Sequence, residues 1–243
     1  MSVDLIVLAG GRGNRLGGAL KPAVEVAGRT LLSRVLDARG FARHVVVVGP
    51  DAARTADTAP VTWTLEDPPF GGPVAGIAAG LTALGRLAAA GPVSETAAAP
   101  SAAEWVLVLA CDLPWAADAA RLLVPAATDP GLPASVHGLH LTDEGGRAQW
   151  LAGIYRLAPL RAAAHRLGAG AHGASMRDLL APLTLHGLPD PAGAGSDVDT
   201  WQDVERSSLL LLTATAPIVS TEPSDRTQRQ NPAPSNPKRS ETE

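Results

Sequence analysis

Between Leu8 and Lys21 the chain reads Leu-Ala-Gly-Gly-Arg-Gly-Asn-Arg-Leu-Gly-Gly-Ala-Leu-Lys, with five glycines and the cations Arg15 and Lys21 spaced along it. Glycine lets bare backbone N–H groups approach an anion closely, and the two cations neutralise it. That combination suits a triphosphate. A P-loop requires a lysine followed by serine or threonine, which this chain lacks, and the dinucleotide fingerprint needs a third glycine where Leu16 stands. A second candidate lies far along the chain, where the apolar run Trp105 to Ala110 ends in Cys111-Asp112-Leu113-Pro114. A carboxylate just past a buried strand is placed to hold Mg²⁺, which takes one or two carboxylates together with phosphate oxygens and water. Asp112 before Pro114 also has the letters of a simple turn.

The elements that must position these residues are strands apolar on both faces, alternating with helices. Val3 to Leu8 runs into the glycine loop, Val45 to Val48 stops at Gly49-Pro50, and Val61 to Leu65 stops at Glu66-Asp67-Pro68-Pro69. Helices are expected over Thr30 to Ala38 and Val74 to Ala90, with the strand Trp105 to Ala110 after the second. Such alternation calls for a three-layer α/β fold, a mostly parallel sheet flanked by helices. Further on, Ala134 to Thr142 and Gln149 to Arg156 read as paired strands around Asp143-Glu144-Gly145-Gly146. Thr200 with Asp203 three residues later is a capping-box pattern, which predicts a last helix from Trp201 to about Leu211. Residues 1–213 therefore form one domain. Residues 91–103 are an alanine-rich surface excursion. Residues 214–243 carry five prolines and no aromatic residue, a composition expected of a disordered tail.

The 243 residues are 46% hydrophobic and carry a formal net charge of −4. That balance argues against nucleic-acid wrapping and against a polybasic membrane anchor. Cys111 is the single cysteine, so neither a disulfide framework within the chain nor a multi-cysteine metal site is available. Met1 to Leu8 has no basic leader, and no apolar run reaches the ~20 residues of a bilayer span. The expectation is a soluble cytoplasmic protein with no nucleic-acid or membrane partner. No histidine lies near Cys111 in sequence to activate it, and a lone cysteine more often serves as a small buried hydrophobe. His137 and His140, three apart in a strand, point to opposite faces and make a poor metal pair.

In register with the glycine loop, three more segments complete a pattern: Glu66-Asp67-Pro68-Pro69-Phe70-Gly71-Gly72-Pro73-Val74-Ala75-Gly76, Cys111-Asp112-Leu113-Pro114, and Asp197-Val198-Asp199-Thr200-Trp201-Gln202-Asp203. Together they resemble the nucleotidyltransferases with a glycosyltransferase-A-like (nucleotide-diphospho-sugar-transferase-like) fold, and within them the molybdenum cofactor guanylyltransferases. The likeness spans Val3 to Glu205. It implies transfer of GMP from GTP to molybdenum-molybdopterin with release of pyrophosphate, and Mg²⁺ as cofactor. By the same resemblance Leu8, Ala9, Gly10, Gly11, Lys21, Asp67 and Asp112 bind the nucleotide, Arg15, Lys21 and Asp112 serve catalysis, and Asp112 holds the metal. The Gly10-Gly11 pair favours guanine, because cytosine-using relatives usually carry alanine at the first position. Asp199 reads either as a second metal contact or as part of the helix start, and the helix start explains the same letters without chemistry. The implied partners are GTP, a molybdopterin-type acceptor and, through the pathway, other cofactor-assembly proteins. The alternatives are a molybdopterin cytidylyltransferase, a sugar-phosphate nucleotidyltransferase, a glycosyltransferase using Asp197-Val198-Asp199, or a non-catalytic nucleotide-binding partner.

Overall fold

A computed structural model describes residues 2–10, 14–54, 61–90 and 103–215. Strand β1 (Val3–Leu8) is buried along its whole length, as six residues apolar but for Asp4 require at the centre of a covered sheet. After the loop come a small hairpin, β2 (Glu25–Val26) with β3 (Arg29–Thr30), and helix α1 (Leu31–Val35). The Thr30 hydroxyl caps α1 by accepting from the Ser33 N–H at 3.1 Å. The helix is shorter than expected: from Leu36 to Phe41 the chain tightens into a 3-10 turn. Strands β4 (Val45–Val48) and β5 (Thr62–Thr64) follow, then α2 (Gly72–Ala89) and β6 (Trp105–Ala110).

The second half contains α3 (Ala116–Thr128), β7 (Gly138–Thr142) and β8 (Ala148–Arg156), the last two forming the expected antiparallel pair. The turn between them closes through Gly146 N–H donating to the Asp143 carbonyl at 2.9 Å. Helices α4 (Leu157–Leu167) and α5 (Met176–Leu180), strand β9 (Leu185–Pro189) and helix α6 (Trp201–Thr215) complete the fold. Helix α6 extends beyond the expected Leu211, so Ala214 and Thr215, assigned to the tail by composition, are helical. Residues 91–102 of the alanine-rich excursion and 216–243 of the tail lie outside the described residues, while Ala103 is buried.

The seven strands run in the order β5-β4-β1-β6-β8-β7-β9, and β8 alone opposes the common direction. This is the mostly parallel three-layer architecture. On one face Val3, Leu5 and Val7 pack with Leu32 and Val35 of α1 and Leu123 of α3. On the other, Ile6 and Leu8 pack with Val74, Ile77 and Leu81 of α2 and Leu160 of α4. Alternation along β1 thus feeds two cores, as period-2 geometry dictates. Helix α2 has the length and hydropathy of a membrane span, yet these side chains sit against the sheet.

Because β4 and β6 both pair with β1, the winding reverses at β1. In open α/β sheets the crevice outside the carboxyl ends of the strands at such a reversal is where ligands bind.

Candidate active site

A cleft of about 590 Å³ opens at that place, lined by Leu8 and Gly10 after β1, Val48 and Pro50 after β4, Leu65 and Glu66 after β5, and Ala110, Cys111 and Asp112 after β6. The start of α2 closes one side through Gly72, Pro73 and Gly76. Two glycines permit the close packing of this floor. A Cβ on Gly49 would lie 2.9 Å from the Ala9 carbonyl oxygen, and one on Gly76 would lie 3.1 Å from Leu8 Cδ2.

Lys21 enters the cleft because the loop that carries it is anchored on both sides. Leu16 is buried in a small core with Val24, Val26 and Leu31, and Pro22 is buried at the start of the 3-10 turn Lys21–Ala23. Between these anchors Gly17 and Gly18 take φ of +67° and +83°, the left-handed region that glycine occupies without steric penalty. The Lys21 ammonium then donates to Asp112 Oδ2 at 2.8 Å and to Asp199 Oδ1 at 2.5 Å. Arg15 donates to Asp199 Oδ2 at 2.8 Å. Residues 91 and 178 positions from Lys21 therefore meet on one nitrogen.

The backbone explains the convergence. Cys111 N–H donates to the Leu8 carbonyl at 3.0 Å, tying the end of β6 to the end of β1, and Val198 N–H donates to the Asp112 carbonyl at 3.0 Å. The second bond docks the Asp197–Asp199 segment beside Asp112. Asp199 is then oriented by the start of α6, where Thr200 and Asp203 form the expected capping box: Asp203 Oδ2 accepts from Thr200 N–H at 2.9 Å, and Thr200 Oγ1 accepts from Asp203 N–H at 3.2 Å. Helix start and charge cluster coexist. The backbone and Thr200 make the cap, which frees the Asp199 side chain to face the cations.

The electrostatics follow from this geometry. Burial by itself lowers the Lys21 pKa, but the charge of Asp112 and the hydrogen bonds to Asp112 and Asp199 outweigh it and hold the ammonium well above the usual lysine range. The Asp199 carboxyl is held below its ordinary range, first by its hydrogen bond from Lys21 and then by the charges of Lys21 and Arg15. Asp197 is pushed up, by desolvation first and then by the negative charges of Asp112 and Asp199. Burial pushes the Cys111 thiol up as well, so it is a poor nucleophile at neutral pH.

Among the described residues no group of three or more His, Cys, Asp or Glu side chains converges as a metal cage. A Mg²⁺ site needs less: Asp112 and Asp199 already share one cation, the Lys21 ammonium, between their oxygens. Asp197 is near enough to feel the negative charges of Asp112 and Asp199, and carboxylates gathered in this way favour a divalent cation. The donor set fits Mg²⁺.

The other expected residues fall as follows. Leu8 and Gly10 line the cleft, Ala9 is buried behind it with its N–H on the Val48 carbonyl at 2.7 Å, and Gly11 lies outside the described residues. Asp67 is exposed and is not part of the cleft wall; the acidic residue of that segment which lines the cleft is Glu66, which the sequence reading passed over. The Glu66 carboxylate accepts from the Phe70 N–H at 3.1 Å. His137 accepts from the Thr184 N–H at 3.1 Å, and His140 Nδ1 lies 3.0 Å from the Leu141 carbonyl, so both serve the sheet.

The profile of the family described as MobA-like NTP transferase domain matches residues 5–187. The chain belongs to this family. It is 37% identical over 115 residues to a molybdenum cofactor guanylyltransferase of Rhodopseudomonas palustris, a match spanning 45% of this chain and 48% of that relative, about half the length of each. Its fold is that of molybdopterin-guanine dinucleotide biosynthesis protein A from Archaeoglobus fulgidus, with a TM-score of 0.61, 17% identity, and coverage of 86% of this chain and 99% of the other. The 2-C-methyl-D-erythritol 4-phosphate cytidylyltransferase of Thermus thermophilus shares it, with a TM-score of 0.56, 19% identity, and coverage of 87% and 100%. The chain thus carries a MobA-like NTP transferase domain, and its mostly parallel sheet is the one its strand pattern calls for.

Proposed function

We propose that this chain transfers GMP from GTP to the terminal phosphate of a molybdopterin carrying molybdenum, releasing pyrophosphate, and that it does so in the cytoplasm, where its single thiol stays reduced. The observation that carries the reading is the meeting of Lys21, Asp112 and Asp199 at the carboxyl ends of β1 and β6. The choice of guanine and of the acceptor is supported by the similarity to the Rhodopseudomonas guanylyltransferase.

In this reaction an oxygen of the acceptor phosphate bonds to the α-phosphorus of GTP. The bond from that phosphorus to the bridging oxygen breaks, and its electron pair leaves with pyrophosphate. The acceptor phosphate is already largely ionised at neutral pH, so no side chain need remove a proton. That accords with a site that, among the described residues, holds no nucleophile–base pair and whose thiol is kept neutral by burial. The protein's task is to position and neutralise a crowded polyanion. Gly10 offers its backbone to the phosphates. Lys21, 15% exposed at its side chain, meets them from inside the cleft, and Arg15 meets them from the solvent side, 74% exposed. Asp112 and Asp199 would hold Mg²⁺, which supplies charge neutralisation on the phosphate oxygens. Asp199 also keeps Arg15 and Lys21 aimed at one place before any ligand arrives, so little reorganisation is left for the transition state.

The test is pyrophosphate release by purified protein with GTP or CTP, Mg²⁺ and molybdenum-loaded molybdopterin. GTP-dependent release with formation of the guanine dinucleotide supports the reading, and Asp112→Asn lowers kcat/KM about 100-fold or more. Release dependent on CTP overturns the guanine assignment, and release with neither nucleotide overturns the reaction.

A further inference from the structure

The charge cluster lies between two unlike neighbourhoods. On the side of β4 and β5 the cleft is walled by Val48, Leu65 and Pro69. On the other side the chain returns from β9, at the opposite edge of the sheet, and passes through Asp197–Asp199 into α6. On the nucleotidyl-transfer reading, a triphosphate held at Lys21 with its nucleoside in the cleft leaves this second side to the acceptor. The acceptor's phosphate must then reach the same α-phosphorus, roughly in line with the departing oxygen.

Helix α6 is firmly seated there. Val204 is buried with Leu16, Val24 and Val26, and the Ser208 hydroxyl accepts from the Ala27 N–H at 3.0 Å. Trp201 precedes Val204 by three residues and Ser208 by seven, so it begins the same helical stripe. Yet it is 53% exposed: the stripe runs off the packed body at its first residue. An indole left half in water forgoes much of the burial that a large aromatic side chain offers. The helix start does not call for one. Thr200 and Asp203 make the cap, and the first helical position is one that proline suits, with its φ already set. Helical side chains lean toward the N-terminus and cover the turn before their own Cα, which for Trp201 is the Asp197–Thr200 segment. Two residues of chain span at most about 7 Å, so the indole is rooted within that distance of Asp199, the carboxylate that holds both Arg15 and Lys21.

We infer that Trp201 is an acceptor-binding residue, its ring face stacking on the fused heterocycle of an acceptor whose phosphate lies at the Arg15–Lys21 cluster. This rests on the nucleotidyl-transfer reading and adds to it the class of acceptor: a phosphate ester of a flat heterocycle, as distinct from a sugar phosphate. The division of labour is physical. The cations fix the phosphate but are indifferent to what it is attached to, whereas a flat aromatic face rewards another flat ring.

The experiment is calorimetric titration of the full chain, in Mg²⁺ and saturating α,β-methylene GTP, with neopterin monophosphate and with glucose 1-phosphate, for wild type, Trp201→Ala and Trp201→Phe. The wild type binds the pterin ester about tenfold more tightly than the sugar ester. Trp201→Ala brings the pterin ester down to the level of the sugar ester, and Trp201→Phe, which keeps an aromatic face, retains most of the preference. All three proteins bind the GTP analogue equally, which shows the charge cluster and the start of α6 intact. A wild type without preference for the ring, or a Trp201→Ala protein that keeps the preference, overturns the inference and leaves nucleotidyl transfer standing. Loss of analogue binding in both variants makes Trp201 a purely structural residue and overturns the inference as well. Failure of the wild type to bind the GTP analogue overturns nucleotidyl transfer itself.

Discussion

Replacing Lys21 by alanine removes the nitrogen that, among the described residues, joins Asp112 to Asp199. At a separation of 2.8 Å and an effective dielectric of about 20, each such contact is a gross attraction of about 6 kcal/mol, most of it offset by desolvation. Breaking a fully buried pair costs about 3–5 kcal/mol. Here the side chains of Lys21, Asp112 and Asp199 are 15%, 18% and 34% exposed, so solvent screening brings the expected loss to about 2 kcal/mol. For a chain of this size that lowers Tm by about 4–8 °C. The effect on turnover is larger, because the ammonium acts on charge that develops in the transition state: kcat/KM falls about 100- to 1,000-fold. Lys21→Arg restores charge without the compact geometry of an ammonium, and recovers stability more than turnover. The assay pairs urea denaturation with pyrophosphate release at saturating Mg²⁺. A folded Lys21→Ala protein with kcat/KM within about threefold of wild type refutes the reasoning, since an interaction of this proximity cannot be both present in the reaction and worth so little.

The remaining expectations concern packing, reactivity and pH. Gly49→Ala places a methyl 2.9 Å from the Ala9 carbonyl oxygen, a backbone atom with nowhere to go, and lowers unfolding free energy by about 1–3 kcal/mol in urea titration. Cys111, buried with its thiol pushed up, resists iodoacetamide in the native protein at neutral pH and reacts fully in denaturant, as read by intact mass. The pH dependence follows from two opposite shifts. Asp199 has a lowered folded pKa, so its contribution is present above the ordinary carboxylate value of about 4 and is lost as pH falls through the lowered one. Lys21 has a raised folded pKa, so its contribution is complete below the ordinary lysine value of about 10.4 and fades only as pH rises through the raised one. The difference in stability between wild type and Asp199→Asn is therefore flat from about pH 5 to 9 and shrinks on the acid side, measured by urea titration across pH.

Much of this was legible in the sequence because the chemistry and the local physics coincide there. Strands covered on both faces need unbroken apolar runs, and β1, β4 and β6 have them. A polyanion needs bare amides and cations, and the loop ending at Lys21 supplies both. What escaped notice lacks such a local signature. Strand β9 is an edge with three of its five residues exposed, so Leu185–Pro189 shows no period-2 pattern, and β2 and β3 are two residues each. Which of two adjacent acids, Glu66 or Asp67, faces the cleft is set by the path of the loop beyond β5, not by their spacing. The partnership of Asp199 with Lys21 joins residues 178 positions apart. Local letters favoured a helix start there, and the structure has that start as well as the ion pair.

The proposed function requires that Gly10, Arg15, Lys21, Asp112 and Asp199 form one site for a magnesium-bound nucleotide triphosphate. Calorimetric titration of the purified chain with GTP, in Mg²⁺ and again in excess chelator, tests it most directly. The account predicts one saturable site in Mg²⁺, lost in chelator and lost again in Asp112→Asn; equal binding in all three conditions, or none in any, contradicts it.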